Sequence, residues 1–146
     1  MGYTRCMSER VLLSLVSPVY NEAEGIAAFF NELCKVLNRL PYDFELLLID
    51  DGSSDGSVDM IKKLKKKANV TPRLLRLSRN FGKETAVTAG FRESNGAAVI
   101  VLDSDLQHPV DKIPDFIEKW LEGADVVVGV RGASGKDSII LSLIHI

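Results

Sequence analysis

The chain has 146 residues, 18 Lys plus Arg against 20 Asp plus Glu, a net charge of −2 and an apolar fraction of 46%. That balance suits one globular domain with a sizeable core and offers no electrostatic footprint for nucleic acid. Cys6 and Cys34 show no metal-ligand spacing, so free thiols in a reducing compartment are expected, and no apolar run reaches the roughly 18 residues of a spanning helix.

Residues 1–10 are polar and read as a loose N-terminus without a signal peptide. Val11 to Val16, apolar except for Ser14, predicts a first strand. Pro18 is expected to stop its ladder, leaving Ser17-Pro18-Val19-Tyr20-Asn21-Glu22 as a loop. From about Glu24 to Arg39, the residues Ile26, Phe29, Phe30, Leu33, Leu37 and Leu40 fall at helical spacing, and Pro41 ends the segment. Phe44 to Ile49 predicts a second strand, closed by Asp50-Asp51-Gly52-Ser53-Ser54-Asp55-Gly56-Ser57, where Asp55 or Ser57 can cap the next helix. That helix is expected over Val58 to Ala68, burying Val58, Ile61 and Leu64. Its lysines, Lys62 to Lys67, read as a solvated face, with contact to an anionic membrane surface as the sharper alternative.

Arg73 to Leu77 predicts a third strand, and Lys83 to Glu93 a helix opened by the loop Ser78 to Lys83. Val99-Ile100-Val101-Leu102 then runs straight into Asp103-Ser104-Asp105-Leu106-Gln107-His108-Pro109. A continuous apolar run fits a strand buried on both faces of a parallel sheet. On an extended chain, Asp103 and Asp105 would point the same way and could share one divalent cation, Mg²⁺ or Mn²⁺. The plainer reading is an acidic turn in which Ser104 or Asp105 caps a helix. A helix follows from Val110 to Glu122, with Ile113, Phe116, Ile117, Trp120 and Leu121 inward, and Asp125 to Val130 predicts a fifth strand. Alternation of strand and helix argues an α/β fold with a mainly parallel sheet. The loops after the first, second and fourth strands would then meet at one edge, where open sheets of this class bind ligands.

Several alternatives drop out. No Gly-x-Gly-x-x-Gly follows the first strand. Gly82-Lys83 lacks the upstream glycine and following hydroxyl of a phosphate loop. The calcium-loop imitation Asp51-x-Ser53-x-Asp55-Gly56 would need an acid at Lys62. The only histidines are His108 and His145, so no Ser/His/Asp order arises.

Ser17-Pro18-Val19-Tyr20-Asn21-Glu22, Asp50-Asp51-Gly52-Ser53, Arg79-Asn80-Phe81-Gly82-Lys83-Glu84, Asp103-Ser104-Asp105-Leu106-Gln107 and Gly129-Val130-Arg131 together resemble family 2 glycosyltransferases. The resemblance spans about residues 10–138 and points to the polyprenyl-phosphate branch, that is, bactoprenol glucosyltransferases and dolichol-phosphate mannose synthases. It implies a Rossmann-like GT-A domain with helices on both sheet faces. It also implies an inverting, metal-assisted transfer of a hexose from a UDP- or GDP-linked donor to a polyprenyl phosphate.

By position, the resemblance assigns the base to Pro18, Tyr20, Asn21 and Glu22, and the base or ribose to Asp50 or Asp51. Asp103 and Asp105 become the catalytic metal-and-diphosphate carboxylates, with Ser104 beside them and Gln107 as a further metal ligand. Lys83 would approach anionic groups, and Arg131 the acceptor phosphate. A bound Mg²⁺ or Mn²⁺ would stabilise charge growing on the leaving nucleoside diphosphate. A phosphate monoester acceptor, with a second pKa of about 6, is largely ionised at neutral pH and needs little help from a general base; no such base is identifiable. After Ser138 the family's acceptor-side segment and membrane spans are absent, and residues 139–146 read as a non-native tail, so residues 11–138 would be the donor half of a longer enzyme at the cytoplasmic face of a membrane. Two other classes compete: a non-catalytic nucleotide-sugar binding module, and a phospho-receiver domain, whose acid pair should follow the first strand rather than the second.

Overall fold

The computed structural model describes residues 10–107 and 109–129 and the backbone of 142–145. Its strands are β1 (Leu12–Val19), β2 (Asp43–Asp50), β3 (Val70–Arg76), β4 (Ala98–Val101), β5 (Val126–Val128) and β6 (Ser142–His145), and its helices are α1 (Ile26–Leu37), α2 (Ser57–Lys63), α3 (Lys83–Glu93) and α4 (Ile113–Leu121). They form one sheet ordered β3-β2-β1-β4-β6-β5. β1 runs parallel to β2 and β4, and β2 parallel to β3, while β6 is antiparallel to β4 and β5. The α/β architecture and mainly parallel sheet are as the sequence predicts. The run set aside as a tail supplies β6.

Alternation along the buried strands sorts the core. Leu13, Leu15, Phe44, Leu46, Leu48 and Ile100 pack on one face with α1, α2 and α4. Val16, Leu47, Ile49 and Val99 pack on the other with Ala86 of α3. Helices on both faces follow from right-handed crossovers: the chain steps outward from β1 to β3, then α3 crosses back to place β4 on the far side of β1. α1 buries the predicted Ile26, Phe29, Phe30, Leu33 and Leu37, plus Cys34. Each large apolar side chain so buried stabilises by roughly 1.5–3 kcal/mol. Burial pushes the Cys34 thiol pKa up, more than nearby Lys67 lowers it, so this cysteine is an inert packing group.

Where elements depart from expectation, local chemistry explains it. Pro18 does not stop the β1 ladder but pairs opposite Ile49. The β1–β4 register ends at Val16–Val101, so Pro18 sits where β1 has become an edge, and an edge tolerates a missing N–H. β3 likewise passes through Pro72 because it is the outermost strand. α2 stops at Lys63 rather than Ala68, since like charges three and four residues apart oppose helix through the lysine run. Before α4, Val110–Lys112 is 3₁₀: Pro114 has no N–H to donate to Val110, so the first turn tightens. Leu121, expected inside, is exposed, whereas Trp120 packs partly buried against the core.

At the sheet edge opposite the carboxyl ends, buried Glu45 gathers a polar knot. It accepts Ser14 Oγ at 2.5 Å, the Asn95 amide at 2.6 Å and an Arg73 guanidinium nitrogen at 2.6 Å. Burial raises its pKa, but these hydrogen bonds outweigh that and leave it below the ordinary glutamate value. The knot fastens the α3–β4 turn to β1 and β2.

Candidate functional site

The carboxyl ends of β1, β2 and β4 lie together, and the loop after β3 joins them. β1 is the point where strand order reverses, with β2 on one side and β4 on the other. The first two loops are tied by side chains. Asn21, at φ +52°, accepts the Ser54 and Asp55 amides on Oδ1 at 2.9 and 3.3 Å, and its own amide donates to Ser53 Oγ at 2.9 Å. The Glu22 amide donates to Ser57 Oγ, and the Ala23 amide to Asp55 Oδ2. Asp55 also accepts the Ser57 hydroxyl and amide, which holds its pKa below the usual range. Asn21 therefore braces the site and is not part of its lining.

The two β2 acids have different fates. Asp50 is fully buried; Oδ2 accepts the Ser53 amide at 3.3 Å and lies 3.9 Å from Arg76 Nε, while Oδ1 has no partner among the described residues. Asp51, 3% exposed, turns to the cleft and accepts the Phe81 amide on Oδ1 at 2.8 Å and the Gly82 amide on Oδ2 at 3.0 Å. Gly52, at φ +75°, lets the Arg79–Asn80 backbone lie directly on it. Arg79 stacks over the Phe81 ring at 4.4 Å. Fixing Phe81 and Gly82 fixes where α3 begins, and so where Lys83 projects.

Lys83 reaches across to Asp103, its Nζ 2.6 Å from Oδ1 and 2.7 Å from Oδ2. The expectation that Asp103 and Asp105 share a side because the chain is extended is corrected: β4 ends at Val101, and Ser104–Asp105 form a turn closed by Leu106 at φ +60°. The turn brings both carboxylates into the same cleft by another route. Buried Ser104 donates to the Pro18 carbonyl at 3.3 Å, tying this turn to β1. Asp105 Oδ1 accepts the Gln107 amide at 3.0 Å instead of capping a helix.

The resulting cleft holds about 310 Å³. Pro18, Tyr20 and Glu22 line it from the first loop, Asp51 from the second, Lys83 from α3, and Asp103, Ser104 and Asp105 from the last. Asp50, Asn21 and Gln107 are not in its lining. His108 and Arg131 lie outside the described residues. Asn80 and Gly82 also line it and received no individual role from sequence; their place in the Arg79–Glu84 motif was the available signal.

The described lining sets four carboxylates, Glu22, Asp51, Asp103 and Asp105, against the single ammonium of Lys83. Burial, then repulsion from Asp105 and Asp55, pushes the Glu22 pKa up. Such a cleft attracts cations and repels an anion that arrives alone. No group of three or more His, Cys, Asp or Glu among the described residues forms a metal cage. Two carboxylates of hard oxygen donors do fit the mode in which Mg²⁺ binds through one or two acids and completes its shell with phosphate and water. The Lys83 ammonium, held by both Asp103 oxygens, shows that positive charge is accommodated there.

Residues 14–143 match the family model described as glycosyl transferase family 2. The chain belongs to that family. A bactoprenol glucosyl transferase of Shigella phage SfV is 42% identical over 127 residues, which cover 86% of this chain and 40% of that protein. This family 2 chain thus spans about two-fifths of the curated relative's length. Among solved structures, residues 1–349 of S. aureus TarS superpose with a TM-score of 0.66 at 24% identity, over 87% of this chain and 38% of that one. A Pyrobaculum calidifontis mannosyltransferase, solved in complex with GDP-Man and Mn²⁺, gives 0.64 at 22% identity, over 85% and 36%. The open α/β sheet found here matches the fold of both.

Proposed function

We propose that this chain is the donor-binding half, residues 11–138, of an inverting glycosyltransferase that moves a hexose from a UDP- or GDP-linked donor to a polyprenyl phosphate. One observation carries the reading: Tyr20, Asp51, Asp103 and Asp105 from three separate loops, and Lys83 from the start of α3, line one cleft at the strand-order reversal. Half-exposed Tyr20 offers an aromatic face to a base, and the Asp51 carboxylate, lining the same cleft, would accept from base or ribose donors. Asp103 and Asp105 would hold Mg²⁺ or Mn²⁺, whose chemistry when bound is to neutralise charge on the leaving nucleoside diphosphate. Lys83 adds a second positive group on the same side.

The acceptor reading rests on the relative named for bactoprenol. An ionised phosphate acceptor would need little help from a general base. We assign acceptor capture, including Arg131, and the membrane contact a polyprenyl chain requires to the full-length protein; among the described residues no helix is long and apolar enough to cross a membrane.

Calorimetry of UDP-glucose and GDP-mannose with and without Mn²⁺ tests the donor reading. Binding should require the metal and be lost in Asp105→Ala. Metal-independent binding, or an unaffected Asp105→Ala, refutes it. Transfer to polyprenyl phosphate in detergent by the full-length enzyme separates a transferase from a binding module.

A further inference from the structure

We infer that Lys83 is an exchangeable counter-cation: its ammonium occupies Asp103 when no divalent ion is bound, and the arriving ion displaces it toward the donor's diphosphate. The inference rests on the metal reading proposed above for Asp103 and Asp105.

The geometry is specific. Both Asp103 oxygens lie within 2.7 Å of the Lys83 Nζ, so the ammonium engages the whole carboxylate that would help hold the ion. A divalent ion cannot take either oxygen with an ammonium beside it without strong like-charge repulsion. The lysine must leave, and it can. Its side chain is 61% exposed, and its four-carbon stem is flexible, so it exchanges partners without moving α3. The turn that carries Asp103 stays in place, because the neighbouring Ser104 is buried and bonded to the Pro18 carbonyl. The root of Lys83 is also fixed, since Asp51 clamps the two amides just before it. A released ammonium therefore swings from a fixed pivot within the cleft that both groups line. There a donor would present the oxygens of its diphosphate, which accept charge-assisted hydrogen bonds from an ammonium. The exchange makes metal and diphosphate binding mutually reinforcing: the ion frees the lysine, and the diphosphate gives it a new partner.

The two halves of the exchange have opposite signs on removing the ammonium. In Lys83→Met, Mn²⁺ alone should bind about three- to tenfold more tightly, the scale of one partly exposed ion pair no longer competing. The same variant should bind UDP or GDP in the presence of saturating Mn²⁺ about three- to tenfold more weakly. Electron paramagnetic resonance of free Mn²⁺ measures the first quantity and calorimetry the second, on the full chain, with circular dichroism confirming the fold. Lys83→Arg, which keeps the charge, should stay close to wild type in Mn²⁺ affinity. Unchanged or weaker Mn²⁺ binding by folded Lys83→Met overturns the exchange while leaving the metal reading standing. Failure of wild type to bind Mn²⁺ even with UDP or GDP overturns the metal reading, and the exchange with it. A plain structural role for Lys83 would weaken both affinities together, which also overturns it.

Discussion

Gly52→Ala probes how the site is assembled. An added Cβ would stand 2.5 Å from both Arg79 C and Asn80 N, where ordinary contact begins near 3.4 Å. Both are backbone atoms, so the loop itself must retreat by about 1 Å. Such a shift lengthens the Asp51 bonds to the Phe81 and Gly82 amides, now 2.8 and 3.0 Å, beyond useful hydrogen-bonding range. Each bond to a charged acceptor contributes about 1.5–3 kcal/mol, and a left-handed alanine costs about 1–2 kcal/mol more. Partial relaxation brings the expected loss to about 3–5 kcal/mol, read as a lower urea midpoint. Gly82→Ala is the control: φ is +100°, yet nothing lies within 4 Å of the added carbon, so only backbone strain of about 1–3 kcal/mol applies. In an Asp51→Ala background, Gly52→Ala should cost about 2 kcal/mol less than in wild type, because the clamp is already gone. Equal costs for Gly52→Ala and Gly82→Ala, or no coupling to Asp51, would refute the claim that Gly52 and Asp51 jointly seat the loop.

Glu45→Gln should lower stability by about 1–3 kcal/mol at neutral pH, since it removes a charged acceptor from Ser14, Asn95 and Arg73. Because the native pKa of Glu45 is depressed, its contribution is fully present above the ordinary glutamate value and fades as pH falls through the native one. Urea titrations from pH 6 to pH 3 should therefore show wild type converging on the variant; a constant gap would contradict the linkage. Gly90→Ala should lower the thermal midpoint despite alanine's better helix propensity, because its Cβ would meet Val16 Cγ1 at 2.3 Å and lift α3 off β1. Adding Val16→Ala should recover part of that loss, and no recovery would place the strain elsewhere.

Much of this molecule was legible from local pattern. Mostly apolar runs marked five strands, and the 3.6 period marked the buried face of α1, because burial demands those patterns wherever the chain goes. The motifs at strand ends placed Pro18, Tyr20, Glu22, Asp51, Lys83, Asp103, Ser104 and Asp105 among the site residues, and all of them line the cleft. Tertiary structure decided what depends on neighbours far apart in sequence. Whether Pro18 breaks a strand depends on where β4 ends. Whether Asp50 or Asp51 faces the cleft depends on which side the β3–α3 loop packs. That Asn21 joins two loops was not legible, because its amide and carbonyl find partners 32 to 34 residues away. The Lys83–Asp103 pair spans 20 residues and exists only because α3 crosses back over the sheet. Residue type thus set which chemistry was possible, and the crossover that reverses strand order at β1 decided which groups meet.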